Sequence, residues 1–314
     1  MDWFFTFPDL FHLNTTAIDN AVRTFAVNAS GVLDAIKGAL NSFVVLINSL
    51  LTHIPWLIII LLVAVLGWRA RGKIRSGVLY GVLVFFIGAL GLWDMMLVTL
   101  SVVLASVLIA LVIGIPIGIL ISGSERANNI IRPILDTMQT MPVFVYLIPA
   151  LLLFGTGNAS GVIATVIYAV VPVIRLTSLG IRQVDKEVVE ASKSFGATRW
   201  QTLAKVQIPQ AMPTIMTGVN QTLMMAMAMV VTTSMIGVRG LGMEVLNAVN
   251  RIEIGRGLVA GSSVVILAIV LDRLTQSFSQ PRKKSSRRPA PRRRGAREKT
   301  GGDARKGGGD DGAK

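Results

Sequence analysis

Residues 95–121, MMLVTLSVVLASVLIALVIGIPIGILI, contain no charged side chain. A helix crosses bilayer hydrocarbon with roughly 20 apolar residues, about 17 to 25 being usual. Hydrocarbon offers no water to backbone groups, so such a segment spans as a helix. Residues 54–70, 76–93, 133–154, 160–179, 212–236 and 257–278 approach or meet that length, the first two being short. The chain is 52% hydrophobic and 15% charged, where a soluble chain carries about 25% charge. An ordinary soluble enzyme is set aside on that ground. The sequence predicts an all-α, polytopic transmembrane helical bundle of about seven spans.

The formal charge of +14 is unevenly placed. Residues 281–314 hold 13 Lys/Arg and 4 Asp/Glu, a net +9, while residues 1–280 hold 18 and 13, a net +5. Short loops rich in Lys and Arg face the cytoplasm. Arg69, Arg71, Lys73 and Arg75 mark one side. Arg126 and Arg132 fall on that side two segments later, then Arg182, Lys186, Lys193, Arg199 and Lys205, then the tail. The pattern predicts a multi-pass plasma-membrane protein with a cytoplasmic C-terminus and, for an odd number of spans, an outer N-terminus. Losing one weak span moves the N-terminus inside. Cysteine is absent, and His12 and His53 belong to no cluster. Disulfides, thiolate catalysis and a Cys- or His-built metal site are not expected.

The first ten residues, MDWFFTFPDL, lack the basic start and small-residue cleavage site of a secretory signal. Ile18, Val22, Phe25, Ala29, Val32, Ile36, Leu40, Phe43, Ile47 and Leu50 then step by three or four. That spacing draws one apolar stripe and predicts an amphipathic helix over 17–51, on the outer membrane surface or packed on the bundle. The expected organisation is an extracytoplasmic N-terminal segment (1–53), two accessory spans (54–94), a core (95–280) and a tail (281–314). The tail is rich in Pro, Gly and charge and cannot bury a core. It reads as a solvated extension, or as a segment drawn to anionic membrane lipid. It has no interleaved aromatics, so no specific nucleic acid is expected.

Between the fifth and sixth apolar segments lies IRQVDKEVVEASKSFGATRWQTLAKVQIPQAMP. Val184, Val188, Ala191, Phe195 and Ala197 suggest a short helix with an apolar side. Gly196 permits a left-handed turn, and Thr198 suits the cap of a second short helix holding Trp200, Leu203 and Ala204. Pro209 and Pro213 are expected to end that helix and lead into the next span. The segment reads as a helix–turn–helix knob standing in water, shaped to dock in a cleft of a cytoplasmic partner.

Glu190-Ala191-Ser192, three residues, Gly196, nine residues and Val206-Gln207-Ile208-Pro209 resemble the EAA loop of bacterial ABC importer permeases. Ser192, Val206 and Ile208 are mild departures that keep the spacing. QTMPVFVYLIPALLLFG, IRLTSLGIRQV, KVQIPQAMPTIMTGVNQTLMMAMAMVV and LAIVLDRLTQ look like the glycine betaine/proline betaine branch, over roughly residues 95–278. One departure is Gly237-Val238-Arg239-Gly240-Leu241-Gly242, where the branch leads one to expect a small residue at Arg239. The resemblance implies a type I ABC importer permease fold and a coupling loop at 182–210. Glu190, Ala191, Ser192, Phe195, Gly196, Ala197, Trp200 and Pro209 would then meet an ATPase subunit.

No G-x-x-x-x-G-K-[ST] phosphate loop occurs in the chain. No cofactor is expected on this chain; ATP and Mg would sit on the partner ATPase. The resemblance also implies an extracytoplasmic solute-binding protein and a second permease copy. Polar side chains inside spans tend to face the bundle interior. Asn220, Gln221, Thr232, Thr233 and Ser234 are therefore path candidates, with interhelical hydrogen bonding as the plainer reading. Met224, Met225, Met227 and Met229 read as adaptable packing or as a weakly binding lining. Pro116, Pro142, Pro149 and Pro172 mark kinks, and Asp136, Arg175, Asp272 and Arg273 mark paired or interfacial positions. The expected activity is ATP-driven uptake of glycine betaine, proline betaine or a related quaternary amine. Methionine, taurine or choline import is the alternative within the class. An ion-coupled secondary transporter is a rival of another class, disfavoured because the central spans lack carboxylates and the knob would have no role.

Overall fold

The computed structural model of the protein describes residues 15–279; His12 and the tail expected at 281–314 lie outside them. Among the described residues the only regular structure is helix. In order these are α1 (Thr15–Asn28), α2 (Ser30–His53), α3 (Trp56–Arg71), α4 (Ile74–Ala89), α5 (Trp93–Ser122), α6 (Glu125–Thr140) and α7 (Phe144–Phe154). They are followed by α8 (Asn158–Arg182), α9 (Lys186–Ser194), α10 (Arg199–Thr202), α11 (Ile208–Ser234), α12 (Leu241–Arg251) and α13 (Ile254–Ser279).

The centre is a three-helix layer in which α8 packs against both α5 and α11. Small residues let the backbones approach, as lipid supplies no hydrophobic drive between helices. A Cβ at Gly118 of α5 would stand 2.6 Å from Thr177 Cβ and 2.8 Å from the Ile174 carbonyl of α8. Around this layer, α3, α4 and α13 share a core with α5 and α11, built on Tyr80, Ile87, Met96, Leu223 and Leu267. A second cluster joins α2 and α7 to α5, α8 and α11 through Val44, Val102, Leu147 and Val162.

The span count differs from the sequence expectation of about seven. Among the described residues, five helices are long and apolar enough to cross a membrane: α2, α5, α8, the continuous run from α10 through α11, and α13. A sixth would be α6 and α7 taken together, but they are bent by 93°. Pro142 explains the bend, because the residue before a proline is pushed out of helical geometry; Met141 is extended at φ −67°, ψ 135°. The Tyr146 hydroxyl donates to the Met138 carbonyl and ties α7 back onto α6. The segments expected as the first two spans are the 16-residue helices α3 and α4. Each is about 24 Å long, against a hydrocarbon core of about 30 Å.

The single helix expected over 17–51 is two helices, interrupted at Ala29. Asn28, Ser30 and Gly31 flank the break, and each is a weaker helix former than Ala or Leu. Its stripe does face the bundle where α2 packs: Leu40, Phe43 and Ile47 lie against the second cluster, with Val44 buried. Asn48 accepts a hydrogen bond from Ser101 of α5 at 3.2 Å.

Candidate functional site

The knob is built as its residue types require. Asp185 caps α9, its carboxylate accepting from the Glu187 N–H at 2.9 Å. Gly196 turns the chain at φ +81°, a conformation costing a side chain about 1–2 kcal/mol. Thr198 closes a capping box with Gln201: Thr198 Oγ1 accepts from the Gln201 N–H at 3.3 Å, and Gln201 Oε1 accepts from the Thr198 N–H at 2.9 Å. Ser192, the departure from Glu-Ala-Ala, shares a 3.1 Å hydrogen bond with the buried Thr202 hydroxyl across the two knob helices.

The knob has an inner and an outer face. Val184, Val189, Leu203 and Ile208 pack against Ile181, Ala211 and Ile215. The aromatics point away: Phe195 is 92% exposed and Trp200 73%. The expected apolar side of the first helix is therefore divided, with Val184 inward and Phe195 outward. Glu190, Ala191 and Gly196 are exposed beside them, and Ser192 and Ala197 are half-buried. Two large exposed aromatics on a rigid polar element suit a partner's groove better than water. Between knob and bundle lies a cavity of about 740 Å³, with Arg182, Lys186, Lys193 and Glu190 in its wall.

Pro209 and Pro213 do not end a helix. The chain runs helically from Arg199 to Ser234 through one π turn at Leu203–Gln207. The Ile208 N–H reaches the Leu203 carbonyl five residues back. A proline lacks the N–H of the regular ladder and crowds the preceding turn, and a π turn is a usual local accommodation. Pro209 is exposed, in the first turn of α11.

The five path candidates on α11 separate. Asn220 is half-buried and donates to Asp272 of α13 at 2.9 Å. Thr233 and Ser234 are buried and donate to the Met229 and Val230 carbonyls, each at 2.9 Å. Thr232 is half-buried, and Gln221 is exposed. Gln221 lies on a face with Thr217, Met224 and Ala228, all exposed. Sequence reading missed Thr217, which the four-residue step from Gln221 signals. Met227 and Met229 are buried as packing residues, whereas Met224 is exposed. Asp136 of α6 pairs with Arg175 of α8.

At the end of α8 away from the knob, about 37 Å along the helix, the α7–α8 and α11–α12 turns meet. The Gly157 N–H donates to the Ile236 carbonyl at 3.0 Å. Beneath them is a small, partly open cavity of about 10 Å³, room for about one water. Thr99, Ser106, Thr165 and Thr233 are in its wall.

The model for binding-protein-dependent transport system inner membrane components matches residues 114–284. The glycine betaine/proline betaine transport system permease protein ProW of Escherichia coli (strain K12) is 48% identical over 85% of this chain and 74% of its own length. The glycine betaine/carnitine transport permease protein GbuB of Listeria monocytogenes serotype 1/2a is 52% identical over 73% of this chain and 82% of its own. The glycine betaine transport system permease protein OpuAB of Bacillus subtilis (strain 168) is 46% identical over 85% and 94%. In fold, the chain resembles a chain of the MetNI methionine ABC transporter in an inward-facing conformation, with a TM-score of 0.50 and 21% identity over 58% of this chain and 89% of that one. These relatives are named as transport permeases, and the family as inner membrane components of binding-protein-dependent transport systems. The chain belongs to the family of binding-protein-dependent transport system inner membrane components.

Proposed function

We propose that this chain is the permease subunit of an ATP-driven importer that brings glycine betaine, proline betaine or a related quaternary amine into the cell as a compatible solute. The observation that carries the reading is the knob. A capped, turn-locked helix pair presents Phe195 and Trp200 to water next to Glu190, Ala191 and Gly196. The names of the similar permeases support the solute class.

In this reading two copies of the chain form the pore, with two cytoplasmic ATPase subunits below and a solute-binding protein outside. The knob lies in the cytoplasm in this reading, which the basic loops support. ATP with Mg binds the ATPase subunits, their closure draws the two knobs together, and the spans exchange an inward-open for an outward-open arrangement. Phe195, Ala197 and Trp200 fill the ATPase groove, Glu190, Ala191 and Ser192 lie along its edge, Gly196 holds the turn, and Pro209 begins the helix that carries the motion. Thr217, Gln221 and Met224 face the path, with Thr232 beside them. The apolar outer faces of α3, α4 and α13 meet lipid.

The test is ATP-driven uptake of labelled glycine betaine into vesicles holding the chain with its ATPase and binding protein. Uptake is expected to require ATP and to be lost in Glu190→Ala, with binding-protein docking kept. Betaine uptake indifferent to ATP would overturn the coupling reading, and ATP-dependent transport blind to betaine would move the solute class.

A further inference from the structure

Apart from Arg182 at the end of α8, Arg175 is the one charged residue within α8 and α11. Arg182 and its partner Glu125 stand 3.9 Å apart at the end of the bundle that carries the knob, with Glu125 fully in the open. Arg175 lies seven residues further in, about 10 Å along the helix. Since α8 is about 37 Å long and the hydrocarbon about 30 Å thick, Arg175 sits at hydrocarbon depth. It pairs there with Asp136 of α6, and both side chains stay accessible, at 40% and 52%. Charge at that depth is costly against lipid tails, so the pair faces water or protein.

Its direction follows from the packing of α8. Val173 meets both Gly114 of α5 and Gly218 of α11. Arg175, two residues on, is turned about 200° from Val173. It shares an open stripe with Tyr168 two turns before it and Leu179 one turn after. On α11, Thr217 and Gln221 flank Gly218 on the side away from α5, whose shared cluster runs through Leu223, Ala226 and Val230. A Cβ on Gly218 would stand 3.1 Å from Leu176 Cβ, so Thr217 and Arg175 are at one level, each next in sequence to that contact. The α8 stripe therefore adjoins the Thr217–Gln221–Met224 face that the functional reading gives to the path.

The pair is under-used as a bond between helices. Arg175 donates to Asp136 through one terminal nitrogen, received at Oδ1. Its Nε is buried without a partner. A guanidinium carries five N–H donors in a planar fork that matches a carboxylate, so most of its donors remain for a second acceptor. An ion pair this accessible contributes little to stability by itself and opens readily. One cation and one carboxylate side by side are the complement of a small molecule that carries one of each.

We infer that Asp136 and Arg175 select zwitterions on the path between two copies of the chain: the solute's carboxylate takes the Arg175 fork while its quaternary ammonium lies against Asp136, one ion pair giving way to two. This deepens the proposed function and rests on it. A bond that only fastens α6 to α8, as Arg182 and Glu125 do at the helix ends, has no need of hydrocarbon depth or of spare donors. A side chain of the second copy is a poorer occupant. In a two-fold assembly each copy presents the same surface, and a pair that is neutral as a unit offers its own image no opposite charge.

The experiment uses the whole transporter in vesicles at saturating binding protein. Glycine betaine uptake and ATP hydrolysis are measured for the native chain, Arg175→Gln, Arg175→Lys and the double variant Asp136→Asn with Arg175→Gln. The expected result for Arg175→Gln is uptake lowered about tenfold, the order of one lost charge-assisted hydrogen bond, with ATP hydrolysis kept. Arg175→Lys, which keeps the charge but not the fork, should fall between. The double variant should be no faster than Arg175→Gln. Recovery of uptake in the double variant, where two neutral amides replace the ion pair, would show that the pair only fastens α6 to α8 and overturn the proposal. Loss of ATP hydrolysis in step with uptake would show a loosened helix contact and overturn it as well, as would equal uptake by all four chains. No ATP-driven betaine uptake by the native chain would overturn the functional reading and this inference with it, a result distinct from the others.

Discussion

Asn220 of α11 donates its amide Nδ2 to Oδ1 of Asp272 on α13 across 2.9 Å. Gln276 donates to both Asp272 oxygens, at 2.8 and 2.9 Å, and Arg273 Nε stands 3.8 Å away. The Asp272 side chain is 16% exposed. One carboxylate thus gathers two amides and one cation at the α11–α13 contact. Asp272→Ala should strand both amides and cost about 1.5–3 kcal/mol, the range for hydrogen bonds to a charged group. Asp272→Asn, which keeps one acceptor oxygen, should cost less. Denaturant unfolding of the purified protein measures both. In a double-mutant cycle, Asn220→Ala should cost little once Asp272 is gone; full additivity would show that the bond contributes nothing.

The capping box at Thr198 makes the second knob helix separately testable. Thr198→Ala removes the acceptor for the Gln201 N–H, and loss of such a cap costs about 0.5–2 kcal/mol. The expected outcome is faster amide exchange over residues 198–207 and weaker ATP-coupled uptake, with exchange in α5 and α8 unchanged. Thr198→Ser keeps the hydroxyl and should restore both. Equal exchange in all three chains would mean that the box does not hold the knob.

Much of this was legible in the sequence because it depends on local rules. The charge-free run of α5, the left-handed turn at Gly196 and the cap at Thr198 each follow from residues within a few positions of one another. What could not be read depends on facing partners. The orientation of Asn220 toward Asp272, and the separation of Gln221 from Thr233 on one helix, are set by which neighbours α11 meets. The Ala29 break interrupts a stripe whose periodicity continues across it, so the pattern alone shows one helix. The 93° bend between α6 and α7 sits at a proline the sequence displays, but a proline alone does not distinguish a kink from a turn. The π turn before Pro209 is likewise one of several ways a helix accommodates a missing donor.

Gly242 opens α12 where it crosses α11, and a Cβ there would run into the Val230 carbonyl and the Ser234 hydroxyl. Since the obstacle includes backbone, Gly242→Ala should force the two helices apart. The expected cost is about 1–3 kcal/mol, as for other overpacked sites. Gly255→Ala is the control, because nothing lies within 4 Å of its Cβ and Ala is the better helix former. Comparing the two by thermal unfolding should show a lower midpoint in the first variant alone. A neutral Gly242→Ala would mean that the α11–α12 contact yields without penalty.

The absence of native cysteine makes the two faces of α11 directly measurable. Thr217 and Gln221 are exposed, while Thr222 and Thr233 are buried at 0% and 2%. A polar residue directed at hydrocarbon is costly and rare, so the Thr217–Gln221 face should meet water or protein rather than lipid tails. Single cysteines at 217 and 221 should react with a membrane-impermeant maleimide in at least one nucleotide state of the transporter, and glycine betaine should slow the reaction. Cysteines at 222 and 233 should stay unreactive until the protein is denatured. Reaction at 222 and 233 with protection at 217 and 221 would reverse the assignment and move the aqueous path to the interior of the single chain. Lipid exposure of 217 and 221 would instead be read from reaction with a hydrophobic maleimide only, and would place the polar stripe outside the pore.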